Sequence, residues 1–135
     1  SVSPDVIGKC AEFERFRDGQ TAFYPAFGNN ESRLKWLYRL REAGCIIPTI
    51  IHPTAYVSPT AQIEPGAAIL PHAVVNTNCV VKAGCIVNCG AIVDHGCVLE
   101  EGVHICLGAI VKAENRIPGK MKVEAGVVIE RNTYR

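Results

Sequence analysis

The chain has 135 residues, of which 14 are basic and 13 acidic, for a formal net charge of +1 at pH 7. This balance, with no basic stripe and no row of aromatic residues, disfavours a nucleic-acid-binding function. The sequence contains no apolar run long enough to span a membrane and no signal-peptide pattern at its start, so we expect a protein without a membrane span.

The seven cysteines do not predict a disulfide framework or a metal site. Their number is odd and no CxxC pair occurs, which argues against both. Cys79, Cys85 and Cys97 recur at positions where neighbouring segments carry alanine, which indicates small, buried, apolar side chains. We therefore expect reduced cysteines, a cytoplasmic location and no metal cofactor.

Residues 1–48 predict a small, partial α/β segment. Residues 1–20 have no clear period, and residues 21–27 (TAFYPAF) predict a short apolar strand. A helix is expected to begin at Asn29 or Asn30, because asparagine is a good N-cap.

Gly44 is suited to end this helix in a left-handed conformation. An extended stretch follows, so strand, helix and strand make one βαβ unit, which is too little for a doubly wound domain. Trp36, on the helix, is expected to pack against the first coil of the region that follows.

Residues 49–135 predict a parallel β-helix. From Ile51 the sequence divides into 14 uninterrupted blocks of six residues, and the first letter of every block is Ile, Val or Leu. The fifth letter is Ala or Cys in the first eight blocks, while glycine recurs at the fourth and proline at the third. Such hexapeptide repeats are typical of parallel β-helices. The period fits neither 3.6 nor 3.5 residues, and the glycine and proline content excludes long helices.

Two parts of the sequence are similar to a known family. One is the GNN helix start within residues 26–41, followed by IIHPTAYVSPTAQIEPGA. The other is VNCGAIVDHGCVLEEGVHICLGA, in which two histidines lie nine residues apart. In these motifs the chain resembles the bacterial UDP-4-amino-sugar N-acetyltransferases and their sialic-acid O-acetyltransferase relatives, over residues 21–130.

The resemblance implies a left-handed parallel β-helix, a homotrimer and the use of acetyl-CoA with a nucleotide-linked sugar acceptor. By the same resemblance, His95 matches the catalytic base and His104 the histidine that contacts the acetyl group. Gly28 matches a glycine of the nucleotide-sugar pocket, and Ala125 matches a backbone position along the CoA arm. The implied function is acetylation of an amino or hydroxy group of a sugar in surface-glycan synthesis.

The chain departs from the family pattern in three places. The base is usually followed by Glu or Asp, but Gly96 follows His95, and Asp94 precedes it on the opposite face of the strand. The earlier strand with its glycine-rich phosphate loop does not occur in this sequence, and family chains continue beyond residue 135. We therefore expect an incomplete nucleotide pocket, in a fragment, a shortened form or a degenerate member of the family.

The spacing of the two histidines predicts where a site would form. In a coil of 18 residues, which the family implies, nine residues are half a turn, so His95 and His104 lie on different sides of the β-helix. They would meet only across the boundary between two subunits. His52 is interpreted as a structural residue of the first bend, and His72 as a surface residue.

Two other functions are considered. A γ-class carbonic anhydrase has the same coil, but its zinc site needs a close HxxxxH pair, which the histidines at 52, 72, 95 and 104 do not provide. The stronger alternative is a catalytically inactive trimeric scaffold or a fragment that lacks its substrate domain. The acetyltransferase hypothesis predicts that the two histidines face each other across an interface.

Overall fold

The computed structural model describes residues 5–135, and residues 1–4, part of the predicted α/β segment, lie outside the described part. A 3-10 helix, Cys10–Phe16, is followed by the α-helix α1, Asn30–Glu42. Fourteen two-residue strands come next: β1 (Ile50–Ile51), β2 (Tyr56–Val57), β3 (Gln62–Ile63), β4 (Ala68–Ile69), β5 (Val74–Val75), β6 (Val80–Val81), β7 (Ile86–Val87), β8 (Ile92–Val93), β9 (Val98–Leu99), β10 (His104–Ile105), β11 (Ile110–Val111), β12 (Arg116–Ile117), β13 (Lys122–Val123) and β14 (Val128–Ile129).

The strands stack into three parallel sheets. The first sheet contains β1, β4, β7, β10 and β13, the second β2, β5, β8, β11 and β14, and the third β3, β6, β9 and β12. Each strand pairs with the strand 18 residues further on, for example Ile86 with His104 and His104 with Lys122. The predicted parallel β-helix with an 18-residue coil is therefore confirmed.

The core is a column of first-letter and fifth-letter side chains. Every first-letter residue from Ile69 to Ile117 is fully buried, and so is every fifth-letter residue from Ala67 to Ala109. The column opens at one end, where Ile51 is 46% exposed because no coil covers it. Buried aliphatic side chains stacked in this way supply the main stabilisation of the coil.

The corners depend on a left-handed residue at the fourth letter of each block. From residue 66 to residue 132 every fourth-letter residue has positive φ, whether or not it is glycine. The non-glycine members are His72, Asn78, Glu114, Lys120 and Asn132. His72 is exposed, as expected. The ring of His52 accepts a hydrogen bond from the backbone N–H of Thr54 at 3.2 Å, a contact within the first bend.

Helix α1 begins and ends as its sequence predicts. The side chain of Asn29 accepts a hydrogen bond from the backbone N–H of Ser32 at 2.9 Å, which makes Asn29 the N-cap. Gly44 follows with φ of +71°. The helix buries Leu34 and Leu37 against the corners between the third and first sheets, where glycines leave room for them.

Two expectations for the N-terminal segment are wrong. Residues 21–27 do not form a strand, because only Ala22 pairs with Ile46 in a single parallel bridge and Pro25 has no N–H to continue a ladder. Trp36 does not pack against the first coil. It stacks on Phe27, with ring centroids 6.1 Å apart, because the coil-facing side of α1 is occupied by the leucines.

Candidate active site

His95 lies in the corner between β8 and β9, where the chain passes from the second sheet to the third. Its carbonyl accepts a hydrogen bond from the N–H of Glu114 on the next coil at 3.1 Å, which fixes the corner. The side chain is exposed, and within the described part of the chain no hydrogen bond joins its imidazole to another residue. The ring is therefore open to a partner from outside the chain.

Neither neighbour of His95 supports its ring. The carboxylate of Asp94 accepts hydrogen bonds from the backbone N–H of His95 at 2.7 Å and from Nδ2 of Asn76 at 3.2 Å. Gly96 has φ of +66°, so this residue forms the left-handed corner and has no side chain to contact the ring of His95. The expectation that Asp94 does not replace the family's carboxylate agrees with this geometry.

His104 stands on β10, in the first sheet, and is half-buried. Its Nε2 lies 3.1 Å from Nδ2 of Asn88, at the end of β7. The other amide atom, Oδ1, already accepts the backbone N–H of Cys89 at 2.8 Å, which fixes the orientation of the amide. Because an amide nitrogen only donates, Nε2 is the acceptor and the proton of the neutral ring is on Nδ1.

The Nδ1 atom of His104 is buried and has no hydrogen-bond partner among residues 5–135. Burial lowers the pKa of His104 below its ordinary value of 6.5, and the positive charges of Arg33 and Lys122 lower it further. The carboxylate of Glu124 opposes them. The ring is therefore neutral near pH 7 and holds an unused N–H donor.

The GNN turn, residues 28–30, leads into α1 and lies next to the strand of His104. The backbone of Gly28 is exposed, and its carbonyl is 3.4 Å from Nη1 of Arg33. The same guanidinium donates to the carbonyl of Gly102 at 2.9 Å, two residues before His104. The structure thus brings Gly28 and His104 to one region of the chain.

Ala125 lies in the corner after β13, between the first and second sheets, and is exposed. The N–H of the next residue, Gly126, donates to the carbonyl of Leu107 at 3.0 Å, so Ala125 and Leu107 occupy the same corner on successive coils. Leu107 is 55% exposed and gives this edge an apolar surface. Ala125 follows the first-sheet strand beside that of His104.

The residues that the resemblance singles out thus divide into two groups. Gly28, His104 and Ala125 border the first sheet, whereas His95 lies at the corner opposite that sheet. A site that needs both histidines does not form within one chain. Asn88 and Arg33 were not predicted from the sequence. The signal for Asn88 was its position 16 residues before His104, close to the length of one coil, and the signal for Arg33 was its position beside the apolar residues of α1.

Two cavities in the described part of the chain are not lined by a histidine. A groove of about 650 Å³ beside the third sheet is lined by Leu34, Tyr38, Glu64, Lys82, Glu100, Glu101, Gly119 and Lys120. A cavity of about 350 Å³ in the N-terminal segment is lined by aromatic residues such as Phe13, Phe27 and Trp36. Among residues 5–135 no group of three His, Cys, Asp or Glu side chains is placed to bind a metal ion, and no helix is long and apolar enough to cross a membrane.

Comparisons with known proteins retrieve acetyltransferases. The acetyltransferase domain of PglB from Neisseria gonorrhoeae FA1090, solved alone and in complex with acetyl coenzyme A, matches the chain with a TM-score of 0.91 and 35% sequence identity. The match covers 93% of this chain and 62% of that one. PerB from Caulobacter crescentus, in complex with CoA and GDP-perosamine, matches with a TM-score of 0.77 and 26% identity, over 90% of this chain and 68% of that one.

A scan against protein-family models and a search of curated proteins found no match. The chain spans 62% of the length of the PglB domain structure, so it corresponds to part of that protein. The resemblance to sugar acetyltransferases is nevertheless confirmed, because the structural neighbours of this chain include the acetyltransferase domain of PglB and the perosamine N-acetyltransferase of Caulobacter crescentus.

Proposed function

We propose that the chain is an acetyl-CoA-dependent acetyltransferase that acts on an amino or hydroxy group of a nucleotide-linked sugar, in surface-glycan biosynthesis. The observation that carries the proposal is the neutral His104 ring, oriented by Asn88, with a buried and unpaired N–H at Nδ1. Two structural neighbours support it, because one was solved with acetyl coenzyme A and the other with CoA and GDP-perosamine. The acceptor class is carried over from the second of these.

The proposed roles follow the two-step chemistry of acyl transfer. The acceptor nitrogen or oxygen attacks the thioester carbonyl carbon, and His95 takes the proton that the acceptor loses. The Nδ1–H of His104 donates to the carbonyl oxygen as negative charge develops there. The carbon–sulfur bond then breaks, and the sulfur of CoA takes the proton held by His95 and leaves as a thiol. Gly28 is proposed to border the sugar-nucleotide pocket, and Ala125 to lie along the CoA arm.

We propose a homotrimer with its sites between subunits. The outward-facing letter of the second sheet is apolar on every coil: Tyr56, Val74, Ile92, Ile110 and Val128. Tyr56 is 54% exposed and Val128 45%, as expected of a surface that a neighbour covers. Ile92 leads directly to the corner of His95. A head-to-tail ring would seat this side of one chain against the first sheet of the next, and so place His95 beside the partner's acetyl site.

An inactive trimeric scaffold is the second candidate. It is favoured by one observation: no carboxylate within residues 5–135 bonds to the imidazole of His95. The two candidates differ in what they require of His104, since a scaffold has no use for an unpaired N–H. We further propose a cytoplasmic location, which the free thiols of Cys10, Cys45 and Cys89 support.

Calorimetric titration of acetyl-CoA into the native chain and the His104→Ala variant tests the proposal. We expect micromolar binding that weakens about tenfold or more in the variant, equivalent to about 1.4 kcal/mol. The control is His72→Asn, which keeps a residue that tolerates positive φ at an exposed corner. If the native chain binds no acetyl-CoA, the acetyltransferase proposal is wrong and the scaffold remains.

A further inference from the structure

The side chain of Arg33 is fully buried, yet it has no carboxylate partner in the described part of the chain. All its hydrogen bonds go to neutral oxygens. Nε donates to the carbonyl of Gly84 at 2.7 Å, and Nη1 to the carbonyl of Phe27 at 2.8 Å. Nη2 donates to the carbonyl of Gly102 at 2.9 Å and to Oδ1 of Asn30 at 2.7 Å.

A buried charge without a counter-charge is costly, and a well-packed apolar residue could fill the same space. The hydrogen bonds compensate for part of that cost. Leu34 and Leu37 already attach α1 to the coil through apolar contacts. Attachment of the helix therefore does not by itself require a guanidinium at this position.

The carbonyls that Arg33 contacts belong to the strands that form the His104 site. Gly84 lies two residues before Ile86, the register partner of His104, and Gly102 lies two residues before His104 itself. Asn30, which Arg33 holds, donates from Nδ2 to the carbonyl of Lys120 at 2.8 Å. Lys120 in turn lies two residues before Lys122, the other register partner of His104. The same residue pair thus fixes three successive corners.

The other end of this network is the GNN turn. Nη1 of Arg33 holds the carbonyl of Phe27, and lies 3.4 Å from that of Gly28. The planar, forked guanidinium sets the directions of these bonds, which a lysine with a single ammonium group does not reproduce. The turn and the strand of His104 are therefore held at a fixed separation.

We propose that Arg33 is a positioning residue of the acetyl-transfer site, which fixes the GNN turn against the strands that carry Asn88 and His104. This inference rests on the proposed function for its catalytic consequence, although its structural part does not. The positive charge of Arg33 also keeps the ring of His104 neutral, because it disfavours a second proton there. The other charged groups that act on this ring are Lys122, which also disfavours the proton, and Glu124, which favours it.

The test compares Arg33→Met, which removes the charge and the donors, with Arg33→Lys, which keeps the charge and loses the fork. Lys35→Met is the matched control, because Lys35 is exposed on the same helix and its loss removes one positive charge. Three quantities are measured: the pKa of His104 by NMR titration, amide hydrogen exchange of residues 26–31, and kcat/KM for acetyl transfer.

We expect Arg33→Met to raise the pKa of His104, while Arg33→Lys leaves it close to that of the native chain. Both variants should exchange the amides of residues 26–31 faster and lose about tenfold or more in kcat/KM. In Arg33→Lys the loss should fall mainly on the KM of the acceptor, because the turn moves while the charge stays. Lys35→Met should change none of the three.

The proposal is overturned if folded Arg33→Met retains the native pKa of His104 and native exchange in the turn, or if Lys35→Met produces the same changes. If Arg33→Met does not fold, Arg33→Lys decides: native exchange and native kcat/KM would overturn the proposal. A native chain without transferase activity whose NMR and exchange results follow the expectation would refute the proposed function and leave the positioning role standing.

Discussion

Asn88 sets the tautomer of His104. Its amide oxygen accepts the backbone N–H of Cys89 at 2.8 Å, so its amide nitrogen faces Nε2 of His104 at 3.1 Å. The imidazole must then present its proton at Nδ1, the atom that lacks a partner. A single side chain, fixed by its own backbone, thus decides which ring nitrogen of His104 carries the proton.

Exchange of Asn88 for aspartate should reduce acetyl transfer even though a hydrogen bond to the ring remains. A carboxylate only accepts, so Nε2 would become the protonated nitrogen and Nδ1 would lose its proton in the neutral ring. We expect kcat/KM to fall about tenfold or more in both Asn88→Asp and Asn88→Ala. The ¹⁵N chemical shifts of the His104 ring report the tautomer directly.

Gln62→Ala is the control for this experiment, because Gln62 faces outward from β3 in the third sheet and is exposed. Native kcat/KM in Asn88→Asp, with the ring shifts of His104 reversed, would show that the tautomer has no role in the reaction.

His104 should make the folded chain less stable in mild acid. Its pKa is lowered on folding by burial and by the neighbouring cations, so the unfolded chain binds the proton more readily. The stabilisation is therefore complete above the unfolded pKa of about 6.5 and is lost as the pH falls below it. Urea unfolding at about pH 7.5 and about pH 5.5 should show a smaller loss of unfolding free energy in His104→Gln than in the native chain. Equal losses in the two proteins would contradict the prediction.

Mixed trimers should recover activity that neither parent variant has. If each site takes His95 from one chain and His104 from its neighbour, His95→Ala and His104→Ala trimers are both inactive. Random mixing of the two chains restores both histidines at about a quarter of the interfaces. Acetyl transfer by the unfolded and refolded mixture, compared with each variant refolded alone, is the measurement. A mixture with no more activity than its parents would exclude a shared site.

The coil could be predicted from the sequence because the same pattern of residues recurs in each block of six. The inward aliphatic column follows from letters that recur locally, whereas the 18-residue coil was implied by the family resemblance. Gly96 and His72 both have positive φ, so the left-handed corner depends on the fourth position of the block and not on glycine alone. The N-terminal segment has no such redundancy. A strand over residues 21–27 requires a long partner, and residues 45–47 run beside it for only one bridge.

The candidate site was predictable only in part, for a similar reason. His95 and His104 were predicted from a motif, whereas Asn88 and Arg33 make contacts that the linear pattern does not contain. Arg33 donates hydrogen bonds to Gly84 and Gly102, which lie 51 and 69 positions further along the chain. The packing of α1 on the coil brings these residues together.

Replacement of an inward-facing aliphatic side chain by alanine should cost much less stability at the open end of the column than in its middle. Leu99 is fully buried between coils, and its change to alanine should cost about 2–5 kcal/mol of unfolding free energy, because the neighbouring coils hold the cavity open. Ile51→Ala, at a side chain 46% exposed, should cost far less. Chemical denaturation at one fixed protein concentration measures both. Similar losses at the two positions would mean that the end coil is covered in solution.

Two corner glycines should respond differently to the same added methyl group. Gly96 and Gly102 have nearly the same φ, +66° and +71°, so alanine at either should cost roughly 1–2 kcal/mol in backbone strain. At Gly96 the nearest side-chain atom to an added Cβ is Cγ of Glu114 at 3.6 Å, an ordinary contact. At Gly102 the added Cβ would lie 2.6 Å from Cδ1 and 2.8 Å from Cγ of Leu34, so this buried side chain would have to shift, and we expect α1 to move with it.

We therefore expect Gly102→Ala to be clearly less stable than Gly96→Ala in thermal unfolding. It should also raise the pKa of His104 measured by NMR, because displacement of α1 carries Arg33 away from the ring, whereas Gly96→Ala should leave that pKa unchanged. Gly102→Asn separates the backbone strain from the contact with Leu34, since asparagine adopts positive φ readily but its Cβ makes the same close contact. If Gly102→Asn were as stable as the native chain, the contact between Leu34 and this corner would not limit the position of α1.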